Sequence, residues 1–512
     1  MTLNWLDITV FIAFIGFVVT FSMIKSRREE TSEDFFLAGR GLVWWLIGFS
    51  LIAANISTEQ FVGMNGSAAG NVGLAIASYD WMAAITLVIV ALFFLPKFLK
   101  CGVYTIPEYL EYRYNALARA IMALFTMVVY VAVTITAVLY SGGLTIHTIF
   151  GTDLTLAVWL VGAVAALYTT WGGLKAVAWA DLFQGSALII GGLCLATLCI
   201  VAVGGPWELY AANRDKFHMI LPADHPELPW TALIVGLWIP NFYYWGLNQY
   251  IAQRALAAKS LRDGQIGVLL AACMQVILPL MIVIPGIAAS QLYRAEIAAN
   301  PDRAFPLLIR NLVPAGLRGF IFAAISGAVI SSLASMLNSA STIFTMDLFR
   351  RHFNRDASQR LLVVMGRIST LVFVVIGCLI APKLADPRFH GVFHYIQDFQ
   401  GYISPGILAA FVFGLFVKRA PAAAGVSALI LNVPVYGVLH LGVFDGIAFL
   451  NKMAITFGII IAVMTAITLA RPLERPVVLP ERPGFTAATP RFVSLIGTAV
   501  IAVTLGLYVL FW

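Results

Sequence analysis

The stretch Ala53-Ala54-Asn55-Ile56-Ser57-Thr58-Glu59-Gln60 decides the reading of this chain. Five of its eight residues are polar, and one is an acid. Yet it lies inside an apolar run, 43–67, that is long enough to cross a bilayer. In hydrocarbon every backbone polar group needs a partner, so a polar run at that depth faces protein or water. A polar break at mid-membrane depth is how many secondary transporters build a binding site. The other reading of such a run is a seam of small residues between packed helices. Ala53, Ala54, Ser57 and Thr58 suit a seam, whereas Asn55, Glu59 and Gln60 are too large and too polar for one.

The rest of the composition agrees with a membrane setting. Apolar residues make up 61% of the 512 residues, charged residues only 11%, and mean hydropathy is +0.90. A soluble domain carries about 25% charge. The sequence therefore predicts an all-α integral membrane protein. Apolar runs fall near 5–24, 43–67, 72–96, 117–145, 155–172, 176–203, 230–254, 263–290, 314–345, 361–382, 392–417, 421–441, 448–470 and 490–512. They predict about 14 transmembrane helices in a single transporter domain. The first run lacks a basic leader and a small-residue cleavage site, so it reads as a retained helix.

Charge placement supports the map. With the N-terminus outside, inner loops collect 23 of the 32 Lys and Arg, Arg40, Arg113 and Arg254 among them. Positive charge stays on the cytoplasmic side, so both termini are expected outside a plasma (inner) membrane. Orientation thus accounts for the net charge of +7 without a nucleic-acid partner. No P-loop appears, so ATP-driven pumping lacks its usual engine. The five cysteines form no CxxC pair, and the seven histidines show no ligand spacing. No catalytic triad or paired carboxylates stand out, so an enzyme is not expected. The larger loops, near 204–229 and 291–313, are expected outside, with a helical pattern at Ala304 to Leu312 that caps the site.

Three further polar constellations lie in apolar surroundings. Ile239-Pro240-Asn241-Phe242-Tyr243-Tyr244-Trp245-Gly246-Leu247-Asn248-Gln249 carries a helix-breaking proline, four consecutive aromatics and three amides. Breaks at matching places in two halves point to a binding site, and this break lies five helices further along than the first. That spacing fits a five-plus-five inverted repeat. A proline kink with an aromatic belt is the simpler alternative. Next, Ser331, Ser335, Asn338 and Thr342 line one face of a helix. Hydroxyls and freed carbonyls make a neutral oxygen cage of the kind a hard cation such as sodium takes. A small-residue packing face is the competing reading, preferred for Ser335 and Ser339. Last come two acids. Asp80 sits inside a span, where charge costs about 2.5–3.5 kcal/mol or more, and reads as a site residue. Asp181 lies nearer the inner end of its helix, where a solvated placement serves equally well.

At Ile52-Ala53-Ala54-Asn55-Ile56-Ser57-Thr58-Glu59-Gln60-Phe61 the chain resembles the sodium/solute symporter family, in the branch of the sodium/galactose and sodium/glucose symporters. The likeness extends through Asp34-Phe35-Phe36-Leu37-Ala38-Gly39-Arg40, Tyr104-Thr105-Ile106-Pro107-Glu108-Tyr109, Tyr244-Trp245-Gly246-Leu247-Asn248-Gln249-Tyr250 and Ser331 through Asn338. It implies a LeuT-type core in two inverted repeats, over 43–418. One extra helix (5–24) precedes the core and three (421–512) follow it. It implies sodium-driven uptake of a sugar or polyol by alternating access. Sodium ligands would be carbonyls of Ala53, Ile56 and Ala328 and hydroxyls of Ser331 and Ser332. The sugar site would include Gln60, Asn241 and Gln397. Asn55 would bond the gate residue Tyr244; Met64, Tyr79 and Phe393 would form an outer gate. Asp181 would lie on the sodium exit route, and Glu59 has no role assigned. At three site positions the chain departs from the galactose symporter pattern. Asp80 stands for a glutamate, Ala83 for a serine and Gln275 for a lysine. Asp80 and Gln275 are expected to choose the solute, which the resemblance leaves open between sugars and polyols. A carboxylate or amino acid is the alternative cargo.

Overall fold

The computed structural model describes residues 4–26, 31–56, 59–385, 392–441, 444, 446–482 and 489–512. Among these the chain is helical. Among the described residues, eleven helices are long and apolar enough to cross a membrane. One of them, Leu154–Ala202, runs 49 residues and contains Gly173 at φ 48°, ψ −146°. Only glycine adopts that conformation without strain. The apolar runs expected at 155–172 and 176–203 are thus two helices joined at one residue. Two more segments are apolar but interrupted. With these included, the described residues hold about fourteen apolar segments.

The first interrupted segment starts as helix Trp44–Asn55. Ile56 turns to extended backbone, φ −79° and ψ 120°. Helix resumes as a wide π-turn, Glu59–Met64, and ends in Asn65–Ala69. Ser57 and Thr58 lie outside the described residues. The second interrupted segment comprises Ala232–Gly236, Trp238–Phe242 and Tyr243–Leu247. Asn248 is extended, at φ −76° and ψ 123°, and helix Gln249–Leu256 follows. The sequence predicts both breaks. A third interruption, between Val392–Gly401 and Ser404–Phe416, was not expected. Asn432 spans it: its Oδ1 accepts from the Gly406 N–H at 2.8 Å, and its Nδ2 donates to the Gly401 carbonyl at 3.2 Å.

Packing sorts the helices into a centre and a rim. Leu317–Phe353 is buried along almost its whole length, whereas Trp5–Lys25, Phe449–Ala470 and Arg491–Leu510 expose most of theirs. Exposed apolar faces on the rim helices suit lipid contact. The central helix can carry serines because neighbouring helices supply their partners. We call its regular part, Leu317–Thr342, the serine helix.

Several residues assigned to loops by charge counting prove to be buried struts. Arg113 donates to the carbonyls of Gly414, Val417 and Ala420 at 2.7, 2.6 and 3.2 Å, closing a helix C-terminus. Arg40 reaches Glu33 at 2.6 Å and the carbonyls of Gly102 and Leu256 at 2.9 and 3.3 Å. A short parallel bridge joins Leu42 to Ala258, so the chain before the first interrupted segment pairs with the chain after the second. In the longer loops, helix Ala304–Leu312 forms as predicted, and Phe305 packs 5.3 Å from Phe61 of the first interrupted segment. Lys216 Nζ donates to the carbonyls of Ala69, at 2.7 Å, and Gly70. Burial holds its ammonium below the ordinary lysine range.

Candidate functional site

A cavity opens where the interrupted segments meet. Asn55, Gln60 and Met64 line it from the first, and Leu237, Pro240, Asn241, Tyr244, Trp245 and Tyr250 from the second. Ile396, Gln397 and Gln400 come from the third. Tyr79, Asp80, Thr134 and Met336 complete the wall. The breaks explain this convergence. A continuous helix hides its backbone and spaces its side chains evenly. An interrupted one turns several polar side chains toward one point. Three stretches of the wall are π-helical: Glu59–Met64, Tyr130–Ile135 and Tyr243–Leu247. Such turns recur at functional sites because the extra residue per turn widens the helix.

The chemistry of the lining is selective. Among the described residues it holds five amides with an acid, three tyrosines and a tryptophan, and no Lys, Arg or His. Asn241 Nδ2 donates to the Leu237 carbonyl of its own segment, 3.1 Å away. Tyr244 packs edge-on to Tyr250, with ring centroids 5.7 Å apart, and to Trp245 at 5.2 Å. Three buried polar atoms on the wall have no hydrogen-bond partner: Asn55 Nδ2, Asp80 Oδ2 and Gln397 Oε1. Such orphans are costly, and a polar ligand is one way to satisfy them.

Beside the cavity, the first interrupted segment meets the serine helix. Ser332 Oγ donates to the Ala54 carbonyl at 3.2 Å. A side chain at Gly185 would lie 3.2 Å from Ala53 Cβ, so the helix carrying Asp181 closes the third side. Ala53, Ile56, Ala328, Ser331 and Ser332 are all buried here. Helix Trp44–Asn55 ends at this point, which frees its last carbonyls. Ser331 and Ser332 each spend their one proton on a protein acceptor, so their lone pairs remain available. Oxygen donors of this kind suit a hard cation.

Asp181 is where the structure departs most from expectation. It is fully buried, not solvated. Arg254 Nη2 lies 3.0 Å from its Oδ2, and both side chains are wholly shielded. Ser50 Oγ donates to Oδ2 and Ser331 Oγ to Oδ1. Arg254 Nε donates to Ser50 Oγ at 2.6 Å, and its other nitrogens reach Ser335 Oγ and the Tyr250 carbonyl. Charge counting placed Arg254 in an inner loop; it is instead the centre of a buried network. Ser335, expected to serve packing, belongs to that network.

Other expectations are refined. Asn248 and Gln249 do not offer amides to the cavity. Tyr130 donates to Asn248 Oδ1, and Gln249 Oε1 accepts from the Ile106 N–H at 2.8 Å. They brace the break instead. Gln275 is fully buried, with neither amide atom partnered, but it does not line the cavity. Ala83 is buried and also off the wall. The Phe393 and Glu59 side chains lie outside the described residues. Thr134, Trp245, Tyr250, Met336 and Gln400 also line the wall, and the sequence gives none of them a site role.

Comparison with known proteins gives a consistent result. The pattern of the sodium:solute symporter family matches residues 35–431. A sodium/glucose cotransporter of Vibrio parahaemolyticus is 39% identical, over 100% of this chain and 99% of its own. A sodium/myo-inositol cotransporter 2 of Sus scrofa is 35% identical, over 84% of this chain and 69% of its own. Among solved structures, a sodium-coupled sialic acid symporter in a substrate-bound outward-open state aligns with a TM-score of 0.83. Its identity is 23%, and the alignment covers 93% of this chain and 99% of that one. That likeness establishes the LeuT-type fold.

Proposed function

This chain belongs to the sodium:solute symporter family and is a multi-pass membrane transporter, not an enzyme; from that premise we propose that it imports a neutral sugar or polyol together with sodium. The observation that carries the choice of cargo is the cavity wall. Amides and an acid accept and donate hydrogen bonds to hydroxyls, and tyrosine and tryptophan faces cover the apolar side of a ring. An anionic solute would meet Asp80 and no cation. An amino acid would leave its carboxylate without a counter-charge.

In this reading Gln60, Asp80, Asn241 and Gln397 bond the solute, and Gln275 acts from behind the wall. Asn55, Tyr244, Met64, Tyr79 and Phe393 form the gates. Sodium is held by carbonyls of Ala53, Ile56 and Ala328 and hydroxyls of Ser331 and Ser332, and it leaves past Asp181. Sodium there would link the first interrupted segment to the serine helix, so the solute site forms only when both are in register. The inward pull is sufficient. One charge crossing about 100 mV yields about 2.3 kcal/mol, and a tenfold sodium gradient adds about 1.4 kcal/mol. The excess of basic residues on one side supports a plasma-membrane orientation with both termini outside.

A competition screen tests the cargo. Sugars, polyols, carboxylates and amino acids compete against sodium-dependent tracer uptake in proteoliposomes. Hexoses or cyclic polyols are expected to compete best; strong competition by carboxylates alone would overturn the reading.

A further inference from the structure

The Asp181 network contains more than a stable ion pair. We infer that Asp181 exchanges cations during transport, releasing Arg254 when it receives sodium, so that ion exit and opening of this joint are one event. The inference rests on the reading that Ser331 is a sodium ligand.

The hydrogen-bond directions carry the argument. Ser50 and Ser331 each hold one hydroxyl proton, and both donate it to Asp181. Ser335 donates its proton to the Ser331 carbonyl at 2.7 Å. The lone pairs of Ser50 and Ser335 then face Arg254, which donates to both. With Asp181 Oδ2 and the Tyr250 carbonyl, they surround the guanidinium with four oxygens. Carboxylate, hydroxyl and carbonyl oxygens are what a hard cation takes. The cage holds a tethered cation.

Ser331 joins this cage to the sodium site. Its proton points to Asp181 Oδ1, and its lone pairs are left for the ion. A sodium leaving Ser331 toward Asp181 meets a carboxylate already paired. Two cations on one buried carboxylate repel, and nearby like charge is poorly screened there. One must withdraw. Arg254 sits on helix Gln249–Leu256, just after the extended residue Asn248, so the helix has a hinge at its start. Ser50 sits on helix Trp44–Asn55. The guanidinium therefore ties the two interrupted segments to each other, to the Asp181 helix and to the serine helix. Its withdrawal parts all four. In the absence of sodium the pair keeps the joint shut, which prevents idle ion flow.

Sodium-22 flux through proteoliposomes with solute omitted tests this directly. In Arg254→Gln the carboxylate is open to sodium without the cost of parting the pair. Solute-independent flux is expected to rise tenfold or more, while concentrative solute uptake falls. Arg254→Lys restores most of the coupling. Adding Asp181→Asn to Arg254→Gln removes the acceptor, and the leak returns to the wild-type level. Ser335→Ala, which removes a single oxygen from the guanidinium, gives a smaller rise of two- to threefold and keeps the test alive if the Arg254 variant does not fold. Wild-type flux in both Arg254→Gln and Ser335→Ala, or a leak that persists in the double variant, overturns the exchange. If the wild type shows no sodium-dependent uptake of any solute, it is the proposed function that fails.

Discussion

The solute cavity and the serine–Asp181–Arg254 layer beside it are built from the same segments but solve opposite problems. On the cavity wall, Asn55 Nδ2, Asp80 Oδ2 and Gln397 Oε1 are buried and unpartnered. In the neighbouring layer, Ser50, Ser331, Ser335, Asp181 and Arg254 satisfy one another within a few ångströms. An orphaned buried polar group costs about 1–3 kcal/mol. In the proposed function, a wall that carries such groups is held ready for a solute that brings hydroxyls. A layer that carries none is a joint, and its energy lies in staying closed. Ser331 and Ala54 lie between the two regions, where the proposed sodium site falls.

This contrast can be broken in four places. The largest effect is expected at Asp80. Asp80→Asn keeps the shape and removes the charge, and hydrogen bonds to charged groups are worth about 1.5–3 kcal/mol. Uptake efficiency should fall about 10- to 100-fold, with sodium half-saturation little changed. A selective loss of sodium affinity would instead assign Asp80 to the ion. Next is Ser331→Ala, which removes one oxygen from the boundary. Sodium half-saturation is expected to rise about tenfold, or about 1.4 kcal/mol, and an unchanged sodium titration would remove Ser331 from the ion site.

Gln275 gives a subtler test. Both its amide atoms are buried and unpartnered. Replacing such a group by an apolar one of similar size is nearly neutral for stability. Gln275→Leu should therefore unfold at the wild-type temperature or above, while solute affinity drops about fivefold, roughly 1 kcal/mol. A loss of stability with solute affinity intact would make Gln275 a structural residue. The smallest effect lies outside the membrane. Glu111 pairs with Arg119 at 2.8 Å and Arg351 at 2.6 Å. Burial raises the Glu111 pKa, but the bonds from Arg351 and Arg119 outweigh it and hold the carboxyl below its usual range. Its stabilisation is present above the ordinary glutamate pKa and disappears as pH falls through the lowered one. Glu111→Gln should cost about 1 kcal/mol or less at pH 7, and the gap between variant and wild-type unfolding curves should close in acid. A gap independent of pH would mean the ion pairs contribute nothing.

What the sequence reveals follows what the bilayer penalises. Polar residues at 53–60 and a proline at 240 are conspicuous in hydrocarbon, so both interruptions are legible, and with them most of the cavity wall. The fold class is legible for the same reason. The third interruption is not. Tyr402 and Ile403 look like ordinary span residues, and Asn432, which bridges the gap, is distant in the chain. Arg254 was misread because a basic residue near a helix end fits the inner-loop charge bias as well as it fits a buried pair. Only the fold brings Asp181 beside it. Asn248 and Gln249 were drawn into the site by their amides, whereas Tyr130 and Ile106 claim them. Composition identifies polar groups that need partners; tertiary structure decides which partners they find.

In the proposed function, a cavity of unpartnered polar groups takes up a neutral hydroxylated solute when sodium binds at its edge. The most direct measurement is accumulation of labelled glucose and myo-inositol in proteoliposomes under an inward sodium gradient, with potassium substituted for sodium as the control. The account predicts saturable uptake of at least one of them to above the external concentration, collapsing when sodium is replaced. Equal uptake in potassium, or sodium-driven accumulation confined to carboxylates or amino acids, would contradict it.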